Sequence, residues 1–316
     1  MSNTFNIRYF PHHDIDKANW NTCIDEAANG LIYAHSFYLD HMAKHWDALV
    51  LNDYEAVMPL TWNKKFGICY LYQPAFTACL GIFGKHPTEI MIRGFLNVIP
   101  KKFKLIEISL NSGNILNAPG GISILRTNYF LSLNKNYSEL YSSYRENHQR
   151  NIQKSLQAGC HAKKNIPVEE VIALNKRQMK NVVSLTDNDY NRLKKLYEFL
   201  YNQNKAVTYG IVDLQNKLLA SCVFFFSHSR AYYILAGNHP DSRTTGASHA
   251  LIDAFIKDQA GRDLILDFEG SDIESLALFY SGFGATKEVY PAIRVNRLPW
   301  YLRWAKKNYY LLIDNS

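Results

Sequence analysis

The chain has 316 residues, 47% hydrophobic and 20% charged, a globular balance that excludes a disordered or fibrous protein and allows one large domain or two of ordinary size. No apolar run approaches the roughly 20 residues of a membrane span, which excludes a polytopic membrane protein. Lysine and arginine outnumber the acids by 35 − 28 = 7, and the net charge of +7 favours anionic partners such as phosphates, nucleic acid or anionic lipid.

The N-terminal stretch MSNTFNIRYFPHHD has neither a basic region nor an apolar core of the secretory kind, so a cytoplasmic location is expected. The five cysteines are scattered without a CxxC and read as reduced core residues; no metal is expected.

In chain order, Phe5 to Phe10 reads as a strand, and Ile15 to Ala28 and Ser36 to Lys44 as helices. A meander follows with strands at Ala48 to Val50, Glu55 to Thr61 and Ile68 to Leu71, then a helix near Thr88 to Val98 and a strand at Leu105 to Leu110. A loop through Pro119-Gly120-Gly121 leads to a strand at Tyr129 to Leu133. Apolar residues at helical spacing predict one helix over Tyr137 to Leu156, closed by Gly159. Thr186 and Asp189 read as a capping box for a helix through Leu193, Leu196 and Leu200. Strands at Val207 to Val212, Leu218 to Phe226 and Ala231 to Ala236 come next on short turns. A polar loop, Gly237 to Thr245, precedes a helix from Gly246 to Ala260. The apolar strand Leu264 to Phe268 reads as buried on both faces, Ser271 and Glu274 as a capping box for a helix ending at Gly282, and Thr286 to Val295 as a last strand. Turn chemistry divides the chain near Lys135 into expected domains 1–135 and 136–316, both of mixed helix and strand.

Three segments carry chemistry. In Arg243-Thr244-Thr245-Gly246-Ala247-Ser248, between a strand and a helix, a glycine allows close backbone approach, first-turn N–H groups are free, and an arginine adds a cation. The alternative is an ordinary loop and helix cap. Leu266-Asp267-Phe268-Glu269-Gly270-Ser271, with Leu278-Phe279-Tyr280-Ser281-Gly282-Phe283-Gly284-Ala285 after it, puts carboxylates at a buried strand's carboxyl end, where Glu269 is a candidate base or a loop carboxylate. Asp267 reads as a buried structural hydrogen-bonder, and Tyr280 as a candidate acid or a core residue. The helix segment Tyr144-Arg145-Glu146-Asn147-His148-Gln149-Arg150-Asn151-Ile152 offers Arg145 and His148 to a substrate, or simply a solvated face. Tyr72 and Gln73, in Tyr70-Leu71-Tyr72-Gln73-Pro74, line an acceptor groove or end a strand. His41-Met42-Ala43-Lys44-His45 lacks the glutamate of a zinc-protease helix, and G-x-S-x-G, Walker A and complete G-x-G-x-x-G runs are absent.

The order of elements resembles the GNAT acyltransferase fold, in which the loop after the fourth strand and the next helix's N-terminus hold a pyrophosphate. The segment Arg243 to Ser248 resembles that superfamily's Q/R-x-x-G-x-G/A pattern, departing from it at Ser248, where glycine or alanine is usual. The Asp267-to-Ser271 strand end, the Phe279-to-Ala285 turn and the Arg145-to-Gly159 helix resemble the corresponding parts of FemAB-like acyltransferases, in order, over roughly Tyr137 to Val295. The resemblance implies an α+β fold of tandem GNAT-like domains and N-acyl or aminoacyl transfer to an amine. It implies Arg243, Gly246, Ala247 and Ser248 at the donor, with acyl-CoA favoured and no metal. It keeps open an aminoacyl-tRNA donor and a cell-wall or lipid-linked acceptor, although sustained heptads for a coiled-coil arm are lacking. The competing class is a non-catalytic protein on the same fold that binds anions or nucleic acid. The aromatic and basic stretch Leu298 to Lys307 either lies on an anionic membrane or packs back onto the fold.

Overall fold

A computed structural model describes residues 5–116, 123–180, 185–270 and 272–300. The Pro119-Gly121 loop, Ser271 of the expected capping box and residues 301–307 of the basic-aromatic stretch lie outside the described residues.

The first elements are β1 (Ile7–Phe10), α1 (Lys17–Glu26), α2 (Ser36–Met42), β2 (His45–Leu51), β3 (Ala56–Lys65), β4 (Ile68–Leu71), β5 (Phe83–Gly84), α3 (Glu89–Asn97) and β6 (Phe103–Ser109). After them come β7 (Ser123–Ser132), α4 (Tyr137–Ser142), α5 (Glu146–Gln157), β8 (His161–Lys164), α6 (Val168–Met179), α7 (Asp187–Tyr201), β9 (Ala206–Val212), β10 (Leu218–Ser227) and β11 (Arg230–Asn238). The chain continues through α8 (Ser242–Thr245), α9 (Ala247–Gln259), β12 (Ile265–Asp267), α10 (Glu274–Ser281) and β13 (Thr286–Asn296).

Contacts group these elements into two units. Unit 1 takes the described residues within Met1–Arg126, Ser184–Arg192 and Val289–Ser316; unit 2 takes those within Thr127–Val183 and Leu193–Glu288. The division falls inside β7, and the two units are not continuous in sequence, because the described residues 185–192 and 289–300 belong with the first.

Each unit has the same strand connectivity. In unit 1, β1, β2, β3 and β4 pair antiparallel in order, β4 pairs parallel with β6, and β6 pairs antiparallel with β13. In unit 2, β8, β9, β10 and β11 pair antiparallel in order, β11 pairs parallel with β12, and β12 pairs antiparallel with β7. Two helices follow the first strand in both, and helix lies between the parallel pair in both. Each unit closes over its own apolar core. Leu49, Met58, Phe95, Phe103 and Ile106 are among the buried residues of the first. Phe224, Phe255, Leu266, Phe268 and Phe283 are among those of the second, with the Phe224 and Phe255 rings stacked at 3.7 Å between centroids.

The structure departs from the sequence expectation at three places. The helix expected over Tyr137 to Leu156 is two, α4 and α5: the chain leaves the helical region at Arg145 (φ −63°, ψ 144°), whose N–H donates to the Gly282 carbonyl at 2.9 Å. The polar loop after β11 contains the short helix α8. A strand and a helix unexpected from the sequence, β8 and α6, precede α7; β8 is exposed at every residue and so lacks apolar alternation, and α6 starts just after Pro167. The Thr186–Asp189 capping box forms as expected, with Asp189 accepting from the Thr186 N–H at 2.9 Å. All five cysteines are free: Cys23, Cys160 and Cys222 are buried and Cys69 and Cys79 half-buried.

Candidate active site

In unit 2 the parallel strands β11 and β12 are paired only at Arg230–Ile265, Ala231–Leu266 and Tyr232–Asp267. β12 ends there, while β11 runs on to Asn238. The parting coincides with a register jump between β10 and β11: Val223 faces Leu235 and Phe224 faces Tyr233, leaving Ile234 extra, and such a bulge bends its strand.

Asp267 holds the end of β12. Its buried carboxylate accepts from Asn128 Nδ2 at 3.0 Å, from the Glu269 N–H at 2.9 Å and from Arg230 at 2.7 Å, the last an ion pair with little solvent access. These bonds fix a tight turn in which Glu269 takes φ +62° and Gly270 φ +93°. A left-handed conformation is uncommon for glutamate and costs on the order of 1 kcal/mol, so the Asp267 bond fixes the half-buried Glu269 where an unsupported loop would relax. Tyr280 of α10 stacks on Phe268 at 4.5 Å between centroids. Burial, then the nearby Glu269 carboxylate, raises its pKa and keeps the phenol protonated.

Beyond the parting, α6 lies along β11. Asn175 Nδ2 donates to the Ala236 carbonyl at 2.6 Å, and Gln178 Oε1 accepts from the Asn238 N–H at 2.6 Å. The approach is close enough that a Cβ on Gly237 would sit 2.6 Å from the Asn175 backbone nitrogen. A cleft of about 650 Å³ opens here, lined by Leu174, Arg177 and Gln178 of α6 and by Asn238, His239, Pro240, Ser242 and Arg243 after β11. Arg177 and Arg243 are both exposed, and among the described residues neither makes an ion pair.

Of the expected donor residues, Arg243 lines this cleft, whereas Gly246 and Ala247 are buried. Gly246 has φ +72°, and a Cβ there would sit 2.1 Å from the Asn151 carbonyl oxygen of α5. Helix packing is thus enough to require this glycine. Ser248 Oγ donates to Asn238 Oδ1 at 2.7 Å, tying the first turn of α9 to the end of β11. Gly282 answers a similar demand: its φ is −68°, so the constraint is space, and a Cβ would overlap the His148 ring. The start of α9, which resembles the GNAT pattern, and the end of α10, which resembles the FemAB-like turn, therefore both pack on α5, the helix that resembles the FemAB-like basic helix.

That geometry removes His148 from any substrate. It is buried, its Nε2 donates to the Phe279 carbonyl at 2.8 Å, and its ring lies against His249, Phe279 and Phe283. Burial lowers its pKa. His249 is lowered to about 4, by burial and then by His148. Arg145 is exposed at the start of α5. In unit 1, Tyr72 and Gln73 are engaged internally: Tyr72 Oη accepts from the Lys44 N–H at 2.8 Å, and Gln73 accepts from the Ser109 N–H and donates to the Thr77 carbonyl.

Sequence reasoning missed Arg177, Gln178 and Asn175 together with the whole of α6. The signal was present in Pro167 followed by Val168, Val171, Ile172 and Leu174, a helical spacing after a helix-starting proline. It also missed Asn128 and Arg230 as the partners of Asp267, which lie 139 and 37 residues away.

No protein-family model matches the sequence, and no curated protein matches it. Solved structures do resemble the fold. FemX superposes with a TM-score of 0.63 at 12% identity over 88% of this chain and 96% of that one. The C-terminal domain of a putative lysylphosphatidylglycerol synthetase from Agrobacterium fabrum gives 0.55 at 8% identity over 94% and 96%, and L-PGS from Bacillus licheniformis 0.52 at 9% over 91% and 93%. The likeness is one of fold: the chain is α+β, with a mixed sheet flanked by helices, and its fold is similar to that of FemX.

Proposed function

We propose that the protein is an acyltransferase that moves an acyl or aminoacyl group from an activated donor to an amine, with the chemistry in unit 2. The observation that carries this is the parting of β11 from β12, with Glu269 held by Asp267 on one side and a cleft bearing two unanswered arginines at the end of the other. Phosphate of the donor binds Arg177 and Arg243 through charge-assisted hydrogen bonds, and backbone N–H groups of the parted strand receive the tetrahedral oxyanion. Glu269 takes the proton of the attacking amine as the new N–C bond forms. Tyr280, kept protonated, supplies a proton as the bond to the leaving group breaks.

Acyl-CoA is the favoured donor, because a compact cleft with two arginines suits a pyrophosphate. Aminoacyl-tRNA is the second reading, favoured by the likeness to structures named for lysylphosphatidylglycerol synthesis. Its phosphates would meet Arg145, Arg150, Lys154 and Lys163, whereas Lys164 is already paired with Asp258. The acceptor is a small-molecule amine or a cell-envelope precursor, met in the cytoplasm. Among the described residues no helix is long and apolar enough to cross a membrane.

Turnover of Glu269→Gln tests the reading: loss of a general base lowers it by about 10² to 10⁴ with donor affinity unchanged. Unaltered turnover removes Glu269 from the mechanism. Absence of transfer with acyl-CoA and with aminoacyl-tRNA, while either still binds, favours a non-catalytic binding protein.

A further inference from the structure

The β3–β4 hairpin of unit 1 turns on two residues, Phe66 and Gly67, between the paired Lys65 and Ile68. Both have positive φ, +50° and +79°, the pattern of a type I′ turn, which favours Asn-Gly. A bulky side chain in that conformation is uncommon and strained. Asparagine takes positive φ at Asn52, Asn165, Asn204 and Asn216, and Tyr54, Phe76, His228, Ser229 and Glu269 take it as well. Phe66 gains little packing in return: it is 74% exposed, with the Lys65 ammonium 5.9 Å from its ring centre. An exposed aromatic is therefore held out at a hairpin tip of the turn type that favours asparagine.

The surroundings share one chemistry. β4 and β6 are parallel with Cys69 beside Phe103, so Lys101 and Lys102, just before β6, lie toward the same end as the tip. β13 runs antiparallel to β6 with Asn296 opposite Leu105, which carries the chain from Arg297 to Trp300 toward that end as well. Arg297 donates to the Ile99 carbonyl and Leu298 packs with Ile68, Tyr70 and Leu105, so this segment is fixed there. Trp300 is 81% exposed. The three segments 62–71, 98–105 and 296–300 contain Lys64, Lys65, Lys101, Lys102, Lys104 and Arg297, and no acidic residue. Lys102 is engaged by Tyr9 and the buried Asp47; the acids Asp53 and Glu55 are in the β2–β3 turn at the opposite end of β3.

We propose that this end of unit 1 is a docking surface for an anionic lipid bilayer, with Phe66 and Trp300 entering the headgroup region and the lysines facing lipid phosphates. Exposed aromatics at the interface and clustered cations are the two elements of reversible membrane attachment. The surface belongs to unit 1, and the inference does not depend on the donor.

The test is sedimentation of the full chain with phosphatidylcholine vesicles with and without phosphatidylglycerol, together with thermal melting of each variant. Phe66→Asn suits the turn, so it should melt no lower than the parent while binding anionic vesicles about tenfold more weakly, as the lost aromatic burial implies. Lys64→Gln and Lys101→Gln should each weaken binding about fivefold, the equivalent of about 1 kcal/mol per surface lysine. Equal binding by Phe66→Asn and the parent overturns the proposal, as does equal binding to vesicles without phosphatidylglycerol. Loss of tRNA binding in the lysine variants with vesicle binding unchanged assigns the patch to nucleic acid and also overturns it.

Discussion

In unit 1 the parallel strand β4 leaves β6 after Leu71, and the chain itself takes the vacated place: Leu80 pairs in parallel with Leu110, with its N–H on the Ser109 carbonyl at 2.8 Å. Three asparagines seal the junction. Asn114 accepts from the Ile82 N–H and donates to the Ile82 carbonyl, Asn111 donates to the Leu80 carbonyl, and Asn29 bridges Asn111 and Ile82. In unit 2 the corresponding parting of β11 and β12 is bordered by α6, whose Asn175 and Gln178 bond to β11 and leave a cleft. One connectivity is thus used twice, once as a sealed structural joint and once as an open one with two arginines beside it. Strand order alone does not make a site; what enters the gap decides.

Contrasting variants separate the two roles. Asn114 is fully buried, and Asn114→Ala would leave the N–H of Ile82 without its side-chain acceptor, while the Ile82 carbonyl keeps the bond from Asn29 at 2.8 Å. At roughly 1–3 kcal/mol for a stranded buried group, unfolding by urea should show a loss of about 2 kcal/mol, with the donor affinity of the remaining folded protein unchanged. A small loss of stability would mean that the junction in unit 1 is not a sealed joint.

The double variant Arg177→Ala, Arg243→Ala should do the reverse. Exposed arginines without ion pairs add little to stability, so melting should move by no more than about 0.5 kcal/mol. Donor affinity should fall by roughly 10²-fold, the loss of two charge-assisted hydrogen bonds. Equal donor affinity in parent and variant would move the donor away from the cleft and remove the functional side of the comparison.

A third variant asks whether the glycines that led to the FemAB-like resemblance act through packing. In Gly282→Ala the new methyl would meet the His148 ring, and overpacking of that kind costs about 1–3 kcal/mol. Combining it with His148→Ala, which opens space on the other side, should return part of that loss. Simple additivity would show that the two residues do not share the constraint.

Much of this architecture was readable in advance because the signals were local. Thr186 and Asp189 form the expected box before α7, and β9 to β11 follow one another on short turns. The Glu269 turn was legible as a segment but not as a geometry, since its conformation depends on Asp267, and Asp267 depends on Asn128 and Arg230 far along the chain. Sequence shows Gly246 but not the α5 carbonyl lying against it, which by itself calls for a glycine there. The places of β7 and β13 were invisible for the same reason: both have ordinary strand composition, and only pairing reveals that β7 joins β12 while β13 joins β6.

The smallest effect concerns the histidine pair beneath that helix. His249 on α9 faces His148 and Phe279, and its ring is held at a pKa of about 4, below the ordinary 6.5, by burial and then by His148. His148 is shifted the same way, by burial and by Arg145, with the Phe279 carbonyl opposing. In the unfolded chain both regain ordinary values, so that state binds protons first as the pH falls. Stability from these groups is complete above about 6.5 and declines as the pH drops toward 4. His249→Gln removes one of the two, and its stability should fall less steeply than the parent's over that window. A difference of about 1 kcal/mol is expected between pH 7 and pH 5, modest because part of the ring still meets solvent. Chemical denaturation at several pH values measures it, and parallel curves for parent and variant would show that His249 is as readily protonated in the folded protein as in the unfolded one.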